Sequence, residues 1–177
     1  MKQTMINYIK NLKYDELYTP NEAVYPLLKY LPNFKDGLNK HITIWECTDF
    51  GESNITKILR ENGYNVVSTH INKDFDFLKD KSDFEFDYII TNPPYRLKTD
   101  FLRRAFELGK PFAFLLPLTT LEGVERGKLF RKYGIQVIIL DRRINFMTNK
   151  KSPWFAVSWF CWGLDLGRDL IFDSIGR

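Results

Sequence analysis

Asp87-Tyr88-Ile89-Ile90-Thr91-Asn92-Pro93-Pro94-Tyr95 is the stretch from which the rest of the chain can be read. An acidic residue opens a short apolar run. The run ends in a polar tetrapeptide with two prolines, which neither continue a helix nor donate to a sheet ladder. The pattern predicts a buried strand that delivers a rigid loop. The residue before a proline is pushed toward extended backbone, so Asn92 is held extended and the Pro93 ring fixes φ for the next carbonyl. Asn92 and Pro93 can then present two oxygens, one side-chain and one main-chain, to a single amine. Tyr95 adds a flat face on which a planar group can stack. Taken alone, these residues also read as a plain turn between strand and helix.

Moving outward, residues 42–46 read as a first strand, followed by the loop Cys47-Thr48-Asp49-Phe50-Gly51-Glu52-Ser53-Asn54 and a helix over about 53–62, closed by Asn62-Gly63. Strand, tight turn and helix in that order make the first half of a doubly wound nucleotide-binding unit. Its ligand is expected where the strand's carboxyl end meets the helix N-terminus. Residues 64–69 form a second strand with His70 at its end. After the Asn-Pro-Pro-Tyr loop, residues 98–108 read as an amphipathic helix with Phe101, Leu102, Ala105, Phe106 and Leu108 on its apolar side. Residues 112–116 are continuously apolar, which suits a central parallel strand covered on both faces. A charged helix follows around 122–132, then a strand over 135–140. The last predicted strand, 154–162, is joined to it by a short loop and so should pair antiparallel. Residues 5–13 and 20–31 read as helices, the second opened by a capping box of Thr19, Pro20 at the first helical position, and Glu22.

Bulk properties narrow the class. A chain of 177 residues makes a single α/β domain, 1–177, able to bury a core, with an N-terminal helical segment over 1–40 packing on it. Hydrophobic residues at 44% and aromatics at 16% argue against disorder. No run approaches the length of a membrane span and the N-terminus lacks a signal-peptide layout, so a cytoplasmic location with no membrane partner is expected. Cys47 and Cys161 each sit in an apolar run and read as buried free thiols. Two histidines and two cysteines offer no zinc spacing, so no metal is expected. The net charge of +4 is compatible with a polyanionic partner, a property many unrelated proteins share.

With these elements placed, Asn92-Pro93-Pro94-Tyr95 resembles the catalytic motif, Asn/Asp-Pro-Pro-Tyr/Phe, of the amino methyltransferases that use S-adenosylmethionine, above all the adenine-N6 DNA methyltransferases. The resemblance runs from about Tyr18 to Trp162. It implies a Rossmann-like, mostly parallel seven-stranded sheet with an antiparallel last strand. It also implies that the two oxygens accept hydrogen bonds from an exocyclic amine. Its nitrogen is thereby aimed at a sulfonium methyl, with orientation and preorganised dipoles supplying most of the catalysis.

The same resemblance assigns the cofactor. Tyr18, Thr19 and Pro20 are similar to a Tyr/Phe-x-Thr-Pro segment that contacts it in the family. The family loop acidic-x-x-x-Gly-x-Gly wraps its methionine part, and here the corresponding residues are Glu46, Thr48, Asp49 and a single glycine, Gly51. His70 stands where an acidic residue usually takes the ribose hydroxyls. Asp76 and Phe77 fall in a segment similar to the Asp-Phe-Leu that holds the cofactor's adenine, Asp76 by its amine and Phe77 by its ring. Asn92 borders the cofactor as well.

If the 135–140 strand runs parallel to the catalytic one, Arg142, Arg143, Lys150 and Lys151 lie on the active-site edge and form a cationic lip for a phosphate backbone. Ordinary solvated side chains are the plainer reading. Arg126, Lys128, Arg131 and Lys132 share a helix that would extend the patch, while Trp154, Trp159 and Trp162 read as core. Thirteen residues separate Leu78 from Asn92, which leaves no room for a recognition insert. Sequence preference must then be loose, come from the basic loops, or be supplied by a partner chain. So compact a form is the one expected of a phage or mobile-element enzyme. The expected reaction is methyl transfer to the N6 amine of adenine in DNA, with the base flipped against Tyr95. An RNA adenine or a protein glutamine amide offers the same planar amine. A nucleic-acid-binding protein that kept the fold and lost turnover is the alternative of another class, favoured by the single loop glycine and by His70.

Overall fold

The computed structural model describes residues 19–32, 42–73, 75–146 and 155–175. Seven strands form one sheet in the order β2-β1-β3-β4-β6-β5-β7. They are β1 (Thr43–Glu46), β2 (Asn65–Ser68), β3 (Tyr88–Thr91), β4 (Phe112–Pro117), β5 (Gln136–Leu140), β6 (Val157–Trp162) and β7 (Leu170–Asp173). The strands β2, β1, β3 and β4 pair in parallel. β6 runs antiparallel between β4 and β5, and β7 lies parallel to β5 at the sheet edge. This is the doubly wound, mostly parallel sheet the sequence predicts, with one difference in the order of its end. The antiparallel strand is the sixth and a seventh follows it. Leu170-Ile171-Phe172-Asp173 is short, has one neighbouring strand and leaves Leu170 and Phe172 exposed, so little in its pattern marks it.

Among the described residues four helices cover the sheet: α1 (Asn21–Leu28), α2 (Asn54–Glu61), α3 (Lys98–Leu108) and α4 (Val124–Tyr133). Alternate strand residues feed two cores. On one face Ile44, Ile90, Ala113, Leu115, Ile138 and Trp159 meet the apolar sides of α1 and α2. On the other, Trp45, Ile89, Phe112, Phe114, Leu116 and Phe160 meet α3. β4 is buried along its whole length, as a central strand covered on both faces must be. Each fully buried Phe or Leu there stabilises by roughly 1.5–3 kcal/mol relative to the exposed side chain. Cys47 and Cys161 are buried free thiols.

The capping box expected at Thr19 does not form. α1 starts at Asn21 with Pro20 as N-cap, at φ −66° and ψ 151°, and no side chain caps it. The reason is the tertiary use of Thr19. Its extended pre-proline backbone is buried, with its carbonyl accepting from Asn54 Nδ2 at 2.8 Å. The helix ends at Leu28, short of the 31 predicted, and is tied across the sheet by Trp159 Nε1 donating to the Ala23 carbonyl at 2.7 Å. The expected helix over 5–13, Tyr18, Lys150, Lys151 and Trp154 lie outside the described residues. Among those described, no helix is long and apolar enough to cross a membrane.

Candidate active site

β1 has β2 on one side and β3 on the other, so the chain reverses its winding between β1 and β3. In sheets of this kind, ligands bind in the crevice outside the carboxyl ends at that switch point. Glu46 and Thr91 are the last residues of these two strands, and they meet there. Glu46 is 1% exposed, and Thr91 Oγ1 donates to its Oε1. Thr48 Oγ1 lies 3.1 Å from the same carboxylate oxygen, 2.6 Å from Thr91 Oγ1 and 3.5 Å from the Asn92 main-chain carbonyl. Glu46 Oε2 is buried and takes no hydrogen bond among the described residues. Burial, reinforced by the negative charge of Asp49, outweighs the threonine hydrogen bonds and pushes the Glu46 carboxyl up to about 8.

The loop after β1 is closed by a carboxylate where the resembling family uses glycines. Asp49 accepts from the backbone amides of Glu52 and Ser53 and, at 2.6 Å, from the Thr56 hydroxyl. Burial alone would raise its pKa, but these donors prevail and hold it below the ordinary carboxylate value. The charge sits at the N-terminus of α2, whose dipole favours it, and Ser53 completes the cap by accepting from Thr56 N. Gly51 has φ +97°, a left-handed conformation that glycine adopts without strain.

His70 follows β2, and its Nδ1 accepts from the Asn72 amide at 3.1 Å. The Phe50 ring lies against it, 4.0 Å between centroids, with Lys73 Nζ 5.0 Å from that same Phe50 ring. Asp76 accepts from Leu78 N and pairs with Lys79 at 2.8 Å, and the lysine is the main reason its pKa is lowered. Phe77 is 2% exposed, 5.1 Å from Trp45 and stacked on Phe101 at 4.9 Å, so its ring belongs to the aromatic core under β1 and α3.

The Asn92-Pro93-Pro94-Tyr95 turn leaves β3 with every described peptide trans. Asn92 is half-buried and Pro93 buried. Tyr95 opens a 3₁₀ turn, Tyr95–Leu97, which runs straight into α3. Lys98 Nζ donates to the Tyr95 carbonyl at 3.0 Å, and the tyrosine ring meets Phe155 edge to face at 5.6 Å. Sequence reasoning missed Thr91, Lys98 and Phe155. A hydroxyl residue at the last position of β3 was the one available signal. Arg96, exposed beside Tyr95, was overlooked as well.

β5 runs parallel to β3, so Arg142 and Arg143, which follow it, are on the Asn92 edge. Arg142 is partly engaged there, donating to the Ile175 carbonyl and lying 3.7 Å from Asp141. Arg126 clips α4 to its surroundings through the Thr120 carbonyl and the Thr99 hydroxyl, which spends its guanidinium on structure. Two clefts of about 310 and 490 Å³ lie elsewhere, one at the amino end of β5 around Gln136 and Trp162, the other along β7.

No model of a known family matches this sequence, and no curated protein sequence matches it. Solved structures do. A protein from Listeria monocytogenes assigned as a class I S-adenosylmethionine-dependent methyltransferase is similar with a TM-score of 0.57 at 11% identity, over 98% of this chain and 71% of that one. An S-adenosylmethionine-dependent methyltransferase from Clostridium acetobutylicum gives 0.48 at 12% identity, over 91% and 98% of the two chains. A modification subunit assigned to a type I restriction enzyme of Vibrio vulnificus gives 0.46 at 13%, over 90% and 47%. The first of these likenesses shows the fold, a Rossmann-like methyltransferase fold.

Proposed function

We propose that this chain transfers a methyl group from S-adenosylmethionine to the exocyclic N6 amine of adenine in DNA. The observation that supports it most is the position of Asn92-Pro93-Pro94-Tyr95, directly after β3 at the switch point, with the Asn92 carbonyl 3.5 Å from the Thr48 hydroxyl. The cofactor is supported by the chemistry of the donor set. Glu46 Oε2 is a buried carboxylate oxygen lacking a partner among the described residues, and the ammonium of the cofactor's methionine part would satisfy it. Glu46, Thr48 and the Gly51 loop would hold that end, with His70 and Asp76 toward the ribose and adenine, and Tyr18, Thr19 and Pro20 alongside. When bound, S-adenosylmethionine supplies an electrophilic methyl on its sulfonium.

The chain's own part is orientation. The Asn92 side-chain oxygen and the Pro93 carbonyl accept the two amine hydrogens and turn the nitrogen lone pair toward the donor. Tyr95, fixed by Lys98 at its carbonyl and by Phe155 at its ring, offers a face for a flipped base. Arg142 and Arg143, with Lys150 and Lys151, would take backbone phosphates. These cations favour a nucleic acid over a protein amide, and the motif's likeness to adenine-N6 DNA methyltransferases favours DNA over RNA. Sequence selection falls to the basic loops or to a partner chain.

A silent binding protein on this fold is the second reading. It is favoured by the Phe50 ring against His70 and by the pairing of Asp76 with Lys79. Incubation of the purified chain with methyl-tritiated cofactor and separate DNA, RNA and protein pools decides between them. Label recovered as N6-methyladenine from DNA supports the proposal, and label in RNA or protein reassigns the acceptor. No label in any pool, with no heat of cofactor binding by calorimetry, leaves the binding protein.

A further inference from the structure

Thr48 carries one hydroxyl proton and has three oxygens within reach: Glu46 Oε1, Thr91 Oγ1 and the Asn92 carbonyl. One proton cannot serve all three, so the direction of the chain depends on Glu46. An ionised Glu46 is an acceptor only. Thr91 then donates to Oε1, Thr48 donates inward to Thr91 or to Oε1, and the Asn92 carbonyl receives nothing from Thr48. A neutral Glu46 keeps its proton on Oε1, because Oε2 has no acceptor among the described residues. The order then reverses, running from Glu46 to Thr91 to Thr48 and outward to Asn92. Such chains polarise their members together, so the reversal acts as a unit.

We propose that Thr48 is a positioning residue that passes the charge state of Glu46 to the Asn92–Pro93 peptide, and through it to the turn that holds the acceptor amine. The functional half of this rests on the reading of that turn given above; the coupling does not. A cationic group arriving at Glu46 Oε2 ionises the carboxyl, turns the hydroxyl chain inward and withdraws the Thr48 hydroxyl from the Asn92 carbonyl. The turn is therefore held differently with and without a ligand at the other end of the crevice. The titratable groups around Glu46 agree with a switch at this one carboxyl. Asp49, on the following loop, opposes its ionisation, and the Cys47 thiol, next to Glu46 at the start of that loop, is pushed well above its usual value by burial. β2 and β3 contribute Ser68, in register with Glu46, and Thr91, both neutral.

The test is carbon-detected NMR on the full isotope-labelled chain, correlating the Asn92 carbonyl carbon with the Pro93 nitrogen through a pH titration. In the wild type and in Thr48→Ser, the Asn92 carbonyl shift should move with the same midpoint as the Glu46 carboxyl carbon. In Thr48→Val, Glu46 should still titrate while Asn92 stays flat. Thr48→Ala removes the same hydroxyl and should give the same result if Thr48→Val does not fold. An Asn92 carbonyl that titrates unchanged in these variants, or one that is flat in the wild type while Glu46 titrates, overturns the proposal. In DNA-binding assays the affinity of the wild type and of Thr48→Ser should change when S-adenosylmethionine is added, while that of Thr48→Val, whose Asn92 carbonyl lacks the Thr48 donor in either state, should not. A cofactor effect on DNA affinity that persists in Thr48→Val removes the positioning role. If no methyl transfer is found but the carbonyl titrates through Thr48, the catalytic reading fails and the coupling stands.

Discussion

Thr91 donates its hydroxyl to Glu46 across the carboxyl ends of β3 and β1, and Glu46's second oxygen is buried beside this bond with no partner among the described residues. A carboxyl so placed makes stability depend on pH in an unusual direction. Its pKa is raised from 4.5 unfolded to about 8 folded, so the native state keeps a proton that the unfolded chain releases. The stabilisation is full below the unfolded value and is lost as pH rises through the folded one, with a slope of up to about 1.4 kcal/mol per pH unit in between. Glu46→Gln copies the neutral form and should flatten that slope, raising the melting temperature at pH 8 relative to the wild type. Denaturation curves at several pH values check it, and equal stability of the two proteins throughout would mean that Glu46 is hydrated and ordinary.

Asp49 behaves in the opposite sense. Its folded pKa is lowered by donors at the start of α2, so its contribution is present above the unfolded value and fades as pH falls through the folded one. Asp49→Ala leaves the Ser53 amide and the Thr56 hydroxyl without their acceptor and should cost about 1–2 kcal/mol at neutral pH, the usual scale for a lost N-cap. Urea unfolding at neutral and acid pH should show the gap between variant and wild type closing on acidification. A gap that is the same at both would assign the loss to packing.

These two carboxylates also show where local sequence stops being informative. β3 and the Asn92 turn are legible because an apolar run followed by paired prolines has few other solutions, and β4 because a continuous apolar run suits a strand covered on both faces. The role of Asp49 was masked by the expectation of glycines: Asp49 and Ser53 are both competent caps, and only the fold shows them sharing α2. Phe77 reads from the sequence as a ring beside the cofactor's adenine, but it is buried and stacked on Phe101, a contact between segments that local periodicity does not relate. Glu46 and Thr91 are 45 positions apart, and nothing in either segment announces the other. β7 escaped because a four-residue edge strand with two exposed apolar residues carries almost no pattern.

The cationic edge gives a prediction in salt. Arg143 and Arg142 follow β5 on the side of the Asn92 turn, and each phosphate contact adds close to one unit to the slope of log affinity against log salt. Arg143→Ala should weaken binding to duplexes of any sequence and reduce that slope by about one. Arg142→Ala should do so too, while also loosening the segment after β7 that it holds through the Ile175 carbonyl. Fluorescence anisotropy with a labelled oligonucleotide across a salt series reads both. An unaltered slope in Arg143→Ala would take that residue out of the nucleic-acid interface.

Asn92 and Tyr95 share one rigid turn but should fail differently. In the proposed mechanism the Asn92 side chain meets the acceptor amine in the transition state, so Asn92→Ala should lower kcat by roughly a hundredfold or more, the scale seen when one preorganised hydrogen-bonding group is removed from a reacting centre. Cofactor affinity by calorimetry should stay nearly unchanged. Asn92→Asp retains an acceptor oxygen at the same place and should keep more activity than alanine. Tyr95 contributes its ring, held edge to face by Phe155, so Tyr95→Phe should be close to wild type while Tyr95→Ala raises KM for DNA through lost base stacking. Single-turnover rates with saturating cofactor separate the two effects. If Asn92→Ala matched the wild-type rate, the amine would be held elsewhere, and the Pro93 carbonyl alone could not orient it.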